Sequence, residues 1–327
     1  MKLVEKIKAQ WYSVVMAALF ILAWVFPSLP GMINTGGWAK TIAIMIIFFF
    51  TGLSLRTEDI LPGITSWRLH FYIQGFCYIF MPIVCWIVMK TVGQGLHEAL
   101  IIGFFLLSVL PITISSCVVF TQLAGGNFAA ALFNAVIGNI MGIFLSPALF
   151  LLMLGLTQIS IKVNTWEILT SLGIMVLAPL FVGQIIHIFA RHGIKRFINI
   201  GTLVNRWCIL LIIYFAFGQI FSEDSKMISF SGMILPLVLI IPGHVFFLWV
   251  AGLGGRLFGF NEKDRIAILF CAPQKTLAMG LPLIAAVLSS RPELEGLATL
   301  PVILYHPIQL VIAGFLEQHI QRLRARL

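Results

Sequence analysis

A lysine stands in the middle of an apolar stretch, Phe270–Leu283, with the sequence FCAPQKTLAMGLPL. Lys275 is flanked by Gln274 and Thr276, and Pro273 precedes them. A charge at the centre of a membrane costs several kcal/mol, and a proline removes a backbone donor and disrupts a helix. A chain that keeps both in one apolar stretch needs compensating contacts. This stretch is therefore the first candidate for a functional site.

Lys275 has no acidic partner at a similar depth, because all 12 Asp and Glu residues lie near the ends of apolar stretches or in loops. Its ammonium can face the carbonyls of a broken helix, with the hydroxyls of Ser115 and Ser116 and the amide of Asn134, and so occupy the place of a bound cation. It can instead anchor an anion, or lose its proton as the protein works, since burial disfavours the charged form. A last alternative is that it extends to the membrane interface, which its central position disfavours.

A second polar interruption lies in Leu110–Cys117, LPITISSC, where a proline is followed by three hydroxyl side chains. A broken membrane helix leaves N–H and C=O groups free, which is tolerated only where they line a cavity or meet a ligand. The helix ends also carry partial charges. Two broken helices that cross at one point therefore predict a site for a polar or anionic solute. The candidate residues are Thr113, Ser115, Ser116, Asn134, Gln274, Lys275, Thr276, His306 and Gln309.

Two further pairs of polar residues carry weaker expectations. Asn134 and Asn139 are five residues apart and do not share a helix face, so we expect Asn134 to point at the crossing. Asn139 would then support helix contacts beside Gly138 and Gly142, a spacing that favours close packing. His306 and Gln309 lie one turn apart and either line the cavity or hydrogen-bond between helices.

The composition is that of an integral membrane protein. Of the 327 residues, 60% are hydrophobic and only 10% are charged, with a mean hydropathy of +1.04, whereas soluble domains carry about 25% charged residues. The net charge of +9 is explained by basic cytoplasmic loops rather than by nucleic-acid binding. The five cysteines lie in apolar segments without CxxC spacing, so neither a disulfide nor a metal site is expected.

Apolar runs of about 18 or more residues predict ten spans. They cover approximately 11–29, 38–55, 69–91, 98–122, 127–155, 168–190, 203–222, 229–254, 264–289 and 296–319. With these spans, fifteen of the 21 Lys and Arg residues fall on one side, five fall on the other, and Lys275 is buried. The side richer in basic residues faces the cytoplasm. We therefore expect both termini in the cytoplasm, with the protein in the cell (inner) membrane.

Ten spans divide into two halves of five, residues 1–155 and 156–327. An odd number of spans per half makes the second half enter the membrane upside down, which is the inverted-repeat plan of many secondary transporters. The two interruptions then fall in the fourth span of each half. We expect an all-α fold of two inverted five-helix repeats, with discontinuous helices 4 and 9 crossing.

Three segments resemble the bile acid:sodium symporter superfamily, the solute carrier family 10-like proteins. They are LPITISSCVVFTQLAGGNFAAA at 110–131, GIFLSP at 142–147 and FCAPQKTLAMGLP at 270–282. The last segment is similar to a divergent branch with vertebrate and bacterial members. The resemblance covers essentially the whole chain. It implies a panel domain of spans 1, 2, 6 and 7, and a core domain of spans 3, 4, 5, 8, 9 and 10. It also implies transport of organic anions together with sodium.

The chain departs from this family at the positions that hold sodium. Phe270 stands where sodium-coupled members have glutamate, and Lys275 stands where they have asparagine. Ser116 and Cys117 replace a Ser-Asn pair, and the span 5 hydroxyl ligands have no counterparts. Sodium prefers several hard oxygen ligands. Sodium coupling is therefore doubtful, and no other cofactor is expected.

The expected function is secondary active transport of an organic, anionic solute by alternating access. The alternative is a regulatory membrane protein of calcium-homeostasis type that acts through a partner. An enzyme is not expected, since no acid–base pair or HExxH motif lies in the spans. The expected partners are a small organic anion and membrane lipid, with no nucleic acid. A monomer is the working expectation for the oligomeric state.

Overall fold

The computed structural model describes residues 11–54, 63–157, 166, 170–171, 173–189, 195–221, 230–288 and 291–324. Within these ranges every regular element is a helix. In the same ranges, six helices are long and apolar enough to cross a membrane, and three shorter apolar helices accompany them. The protein is thus all-α and suited to a membrane, as its composition predicts. Several cations used to orient the spans lie outside the described residues: Lys2, Lys6, Lys8, Arg56, Lys162, Arg191, Lys226 and Arg326.

The helices of the described residues are numbered in chain order. In order they are α1 (Trp11–Val25), α2 (Ser28–Ile33), α3 (Thr35–Ser54), α4 (Trp67–Thr91), α5 (Glu98–Val109), α6 (Ser115–Leu123), α7 (Phe128–Gly155), α8 (Gly173–Phe189), α9 (Lys195–Phe221), α10 (Phe230–Leu257), α11 (Glu262–Cys271), α12 (Leu277–Val287) and α13 (Glu295–Arg324).

The chain divides into two compact units. The first contains Met1–Leu55, Ile161–Met233 and Leu281–Leu300, and the second contains Arg56–Ser160, Ile234–Gly280 and Pro301–Leu327. The first unit is therefore built mainly from α1, α2, α3, α8 and α9. The second contains α4 to α7, most of α10, all of α11 and most of α13.

Glycines allow α3 and α8 to approach closely in the first unit. A Cβ atom at Gly52 would lie 2.0 Å from the carbonyl oxygen of Leu180, and one at Gly183 would lie 2.1 Å from that of Phe49. Neither position has room for a side chain. Small residues at a helix interface permit backbone contact of this kind in membrane proteins.

An ion pair joins the start of α3 to the start of α13 within the first unit. The Lys40 ammonium contacts the Glu295 carboxylate, and the two side chains are only 13% and 12% exposed. The Lys40 N–H also donates to Oδ1 of Asn34. Removing one partner of a buried pair leaves the other charge uncompensated, so loss of either residue would destabilise the first unit.

The second unit is built around one apolar cluster to which α4, α6, α7, α10 and α11 contribute. Ile73, Cys117, Ala135, Ala251 and Ile268 are among its buried members. Most of these side chains are small, and small side chains let membrane helices pack closely. This cluster adjoins the two interrupted helices and fixes their positions.

Two helices of the second unit are interrupted where the sequence predicts it. The first stops at Val109 and resumes at Ser115, and the second stops at Cys271 and resumes at Leu277. Proline by itself does not explain the interruptions, because other prolines lie inside continuous helices. These are Pro147, Pro236, Pro242, Pro282, Pro301 and Pro307.

The two interruptions differ in their local cause. Leu110, before Pro111, is extended at φ −65° and ψ 148°, the conformation that a following proline favours. Ala272, before Pro273, keeps helical angles of −63° and −46°. Local stereochemistry therefore ends the first helix, whereas the second interruption depends on tertiary contacts.

The other ends of the two interrupted helices are tied to the end of α13. Arg324 pairs with Glu262, the first residue of α11, at 3.0 Å, and donates from Nη1 to the Ala124 carbonyl just after α6 at 2.9 Å. The Gln321 amide donates to the Leu123 carbonyl at 3.1 Å. The last turns of α13 thus hold α6 and α11 together at this end.

Candidate functional site

The two interruptions are in direct contact. The backbone N–H of Thr276, in the second interruption, donates to the carbonyl of Pro111, in the first, at 2.8 Å. Both segments lie in the second unit. This bond replaces part of the helical hydrogen bonding that each segment lacks, since a buried backbone group without a partner is costly.

The Lys275 side chain crosses from the second interruption to the first and is only 1% exposed. Its ammonium donates to the carbonyl of Ser108 at 2.8 Å, that of Leu110 at 2.8 Å and that of Cys77 at 3.0 Å. An ammonium has three hydrogens, and these three carbonyls use all of them. Of the roles considered from the sequence, the one observed is contact with helix-end carbonyls.

Cys77 presents its carbonyl to Lys275 from an irregular turn of α4. Residues Phe76–Phe80 form a π-turn, in which the Met81 N–H bonds to the Phe76 carbonyl five residues back. The π-turn shifts the helical hydrogen-bond register, and the Cys77 carbonyl within the turn accepts from the Lys275 ammonium. Such turns are frequent at functional sites.

The remaining carbonyls of the first interruption also have donors. Ser146 donates to Val109 at 2.7 Å, Asn139 donates to Ile112 at 2.7 Å, and the Cys117 thiol donates to Thr113 at 2.5 Å. Together with the contacts of Lys275 and Thr276, every carbonyl from Ser108 to Thr113 accepts a hydrogen bond from elsewhere. The protein itself therefore supplies a donor to each carbonyl from Ser108 to Thr113.

Helix α13 holds the second interruption. The Gln309 amide bonds to both backbone groups of Lys275, accepting from its N–H and donating to its carbonyl, each at 2.8 Å. The Tyr305 hydroxyl donates to the Pro273 carbonyl at 2.6 Å and contacts Nδ1 of His244 at 2.8 Å. These contacts replace the helical bonds that Pro273 and its neighbours lack.

Gln274 forms a polar cluster on the side of the site that faces α6. Its Oε1 lies 3.0 Å from the Thr113 hydroxyl and 2.9 Å from the Ser116 hydroxyl, and the two hydroxyls contact each other. Gln274 is 1% exposed. Three of the predicted residues, from two distant parts of the sequence, are thus in contact.

The two asparagines exchange the roles expected from the sequence. Asn139 reaches the first interruption, whereas Asn134 donates to Nδ1 of His70 at 2.8 Å and to the Ala130 carbonyl at 2.9 Å. Gln74 also donates to the Asn134 backbone at 2.9 Å. Asn134 therefore makes contacts between α4 and α7 and does not touch Lys275. The helical wheel separates the two residues but does not show which face is turned to the site.

Phe270 occupies an apolar environment. It is 1% exposed and stacks on Phe120 with 5.8 Å between ring centroids, beside Ala124, Ile266 and Ala313. Among the described residues, no cluster of three or more His, Cys, Asp or Glu side chains is arranged to hold a metal. The side chains packed around Phe270 in this cluster are apolar.

The structure adds Cys77, Asn139, Ser146, His244 and Tyr305 to the site residues that the sequence predicts. Polar type alone could have suggested Ser146 and Tyr305, but a carbonyl contact such as that of Cys77 leaves no mark in the sequence. Thr276 contributes its backbone, as described. The side chain of Ser115 lies outside the described part of the chain.

Comparison with known proteins identifies the family. The profile of the SBF-like CPA transporter family matches residues 10–322. The sodium/bile acid cotransporter 7 of Danio rerio is 30% identical over 326 residues, covering 97% of this chain and 95% of that protein. The protein of the same name from Rattus norvegicus is 30% identical, with coverage of 97% and 94%. An uncharacterised Pseudomonas aeruginosa protein is 27% identical, with coverage of 96% and 93%.

These relatives extend over nearly the full length of the chain, and their family is one of transporters rather than enzymes. The match includes both interruptions and the helices that hold them. With its apolar helices, the chain is an integral membrane protein. It belongs to the SBF-like CPA transporter family.

Proposed function

We propose that this protein is a secondary active transporter of an organic anion that works without sodium, and that Lys275 supplies the positive charge a coupled cation would bring. The observation that carries the proposal is that the Lys275 ammonium donates to two carbonyls of the broken helix, those of Ser108 and Leu110, and to the carbonyl of Cys77. Carbonyl oxygens at helix C-terminal ends are the groups that coordinate sodium in many transporters with broken helices. Here a covalently attached cation uses them.

Electrostatics supports the absence of sodium. A sodium ion within about 4 Å of the ammonium would be repelled by about 4 kcal/mol at an effective dielectric constant near 20. The relatives are named sodium/bile acid cotransporters, but the residues of this chain do not fit a sodium ion. Phe270 is packed among apolar side chains, and Gln274 Oε1 is already in contact with two hydroxyls.

The donor groups left at the interruptions favour an anion. No side chain caps the N-terminus of α6 at Ile114, and a helix N-terminus carries a partial positive charge. The Gln274 amide nitrogen has two hydrogens, and among the described residues no acceptor is recorded for it. With the carbonyls occupied and these N–H groups available, a carboxylate or similar anion is the complementary ligand.

The proposal includes the arrangement in the membrane. We infer ten spans in two inverted repeats, with spans 4 and 9 crossing near mid-membrane, both termini in the cytoplasm and the protein in the inner membrane. The positions of α1 to α13 and the excess of basic residues on one side support this arrangement. The two compact units support a panel of spans 1, 2, 6 and 7 and a core of the other six.

Binding to the purified protein tests the proposal. The probes are small carboxylates, sulfonates and phosphates, each with a neutral amide or alcohol of the same size, measured by thermal stabilisation in NaCl and in KCl. We expect anions alone to stabilise the protein, equally in both salts. Those that bind are then assayed for uptake into proteoliposomes. A preference for neutral or cationic probes, or a strict need for sodium, would refute the proposal.

A charge variant locates the site. Gln274→Glu nearly preserves the shape of the side chain but replaces two donors with a negative charge, so it should abolish anion stabilisation. Gln122→Glu is the matched control, because Gln122 is exposed on the same helix that carries Ser116. It should bind as the wild type does. Equal loss in both variants would place the anion elsewhere.

A further inference from the structure

The amide of Gln309 has only one possible orientation. Its Oε1 accepts from the backbone N–H of Lys275, and its Nε2 donates to the carbonyl of the same residue. A side-chain amide can usually be turned end for end, but here the reversed orientation would face N–H with N–H and C=O with C=O. We call these two bonds the Gln309 clamp.

The clamp determines the protonation state of His306. Nε2 of Gln309 also contacts Nδ1 of His306 at 3.2 Å. Because Nε2 of an amide has hydrogens and no acceptor site, Nδ1 of His306 must be the acceptor. The ring is therefore neutral, with its hydrogen on Nε2. His306 is partly exposed, whereas Gln309 is fully buried.

His244 has the opposite arrangement. The Tyr305 hydroxyl has one hydrogen, which it donates to the Pro273 carbonyl. Its oxygen must then accept from Nδ1 of His244. A second proton on Nε2 of His244 would leave that bond unchanged. One side chain separates each histidine from a backbone carbonyl of the second interruption: Gln309 for His306 and Tyr305 for His244. Only His306 accepts a hydrogen bond from that side chain.

We propose that His306 is a proton-binding site, and that binding of a proton there weakens the Gln309 clamp on the second interruption. The incoming proton bonds to Nδ1 and produces an imidazolium with N–H groups at both nitrogens. One of them then faces the N–H of Gln309, so the contact becomes repulsive. Separation of the amide from Lys275 frees its oxygen to accept from the imidazolium, which relieves the repulsion.

The other titratable groups in this region do not replace the contact between His306 and Gln309. Lys275 directs its ammonium to the carbonyls of Ser108, Leu110 and Cys77. Tyr305, on the same helix as His306, donates to Pro273, and His244 on α10 donates to Tyr305. Among the described residues no carboxylate is hydrogen-bonded to His306, so an imidazolium would have no counter-ion from these groups.

This inference does not rest on the proposed solute, because the proton site involves only protein groups. Its test also needs no solute. Hydrogen exchange measured in overlapping peptides that end before and after Lys275, within residues 272–280, isolates the Lys275 N–H, which Gln309 protects. The purified wild type is compared at pH 8 and pH 5, the range in which histidine changes charge, after correction for the intrinsic effect of pH on exchange.

Three variants complete the experiment. Gln309→Ala removes the clamp and defines the exchange rate of the open state. His306→Asn keeps an acceptor oxygen but does not titrate, and His244→Asn is its matched control. In the wild type and in His244→Asn, we expect corrected exchange at pH 5 to be at least about tenfold faster than at pH 8. In His306→Asn we expect no change with pH.

The outcomes separate the alternatives. Unchanged corrected exchange in the wild type between pH 8 and pH 5 would overturn the proposal, and this comparison needs no variant to fold. If only the imidazole ring turned away on protonation, the Lys275 N–H would stay protected and the proposal would fail in the same way. A pH effect that persists in His306→Asn but disappears in His244→Asn would assign the proton to His244 and also overturn it.

Discussion

Replacement of Lys275 by methionine is the sharpest test of the candidate site. Methionine is similarly long and fits an apolar cavity, but it leaves the carbonyls of Ser108, Leu110 and Cys77 without their donor. Leu110 keeps only a weak contact with the Cys77 thiol at 3.4 Å. Each buried carbonyl without a donor costs about 1–3 kcal/mol, and the relief from burying a charge offsets part of the sum.

Three such carbonyls, less that relief, leave a net loss of about 3–5 kcal/mol. At about 2 °C per kcal/mol for a chain of this size, Lys275→Met should unfold roughly 6–10 °C below the wild type. Thermal unfolding of the purified protein in KCl measures this shift. Lys90→Met is the control, because Lys90 is exposed; its ammonium lies over the Trp86 ring at 4.8 Å, so its loss should cost at most about 1 kcal/mol.

The effect of sodium on stability shows whether Lys275 takes the place of a bound cation or has a purely structural role. The wild type should be equally stable in NaCl and KCl, because the ammonium excludes the ion. Lys275→Ala leaves the carbonyls around a small space, and a sodium ion that binds there at ten times its Kd adds about 1.4 kcal/mol of stability. Lys275→Gln should fold but lose function. Sodium-specific stabilisation of the wild type that Lys275→Ala leaves unaffected would refute this account of the lysine.

Three further predictions concern the first unit and the orientation of the chain. Glu295→Gln leaves the mostly buried Lys40 ammonium unpaired and should cost about 3–5 kcal/mol; unfolding at the wild-type temperature would show that the pair is solvated. Gly183→Val should prevent folding, since even a Cβ atom would lie 2.1 Å from a backbone oxygen, whereas Gly243→Val, with nothing within 4 Å of its Cβ, should have little steric effect on expression or unfolding temperature. A cysteine at position 226 should react with an impermeant reagent on intact cells, and labelling only after permeabilisation would contradict the proposed orientation.

A site residue could be predicted from the sequence where its type is costly in its surroundings, as a charge is in an apolar stretch. Lys275 is conspicuous in an apolar stretch, and the prolines with nearby hydroxyl residues mark both interruptions. For this reason the sequence could place Gln274, Thr113 and Ser116 among the candidate residues of the site. By contrast, the choice between Asn134 and Asn139 failed, because side chains five residues apart both look suitable until the rotation of α7 is known.

The sequence by itself determined that the chain is an all-α membrane protein, that two of its helices are interrupted, and that a lysine without an acidic partner lies at one interruption. These conclusions follow from hydropathy, from the proline and polar residues that mark both interruptions and from the cost of burying a charge, although the second interruption is maintained by tertiary contacts. Only the tertiary structure decided which atoms satisfy that charge. The Ser108, Leu110 and Cys77 carbonyls come from two other segments, and every residue except proline carries the same backbone donor and acceptor. Backbone groups therefore carry no residue-specific signal, and their partners are determined only when the helices pack.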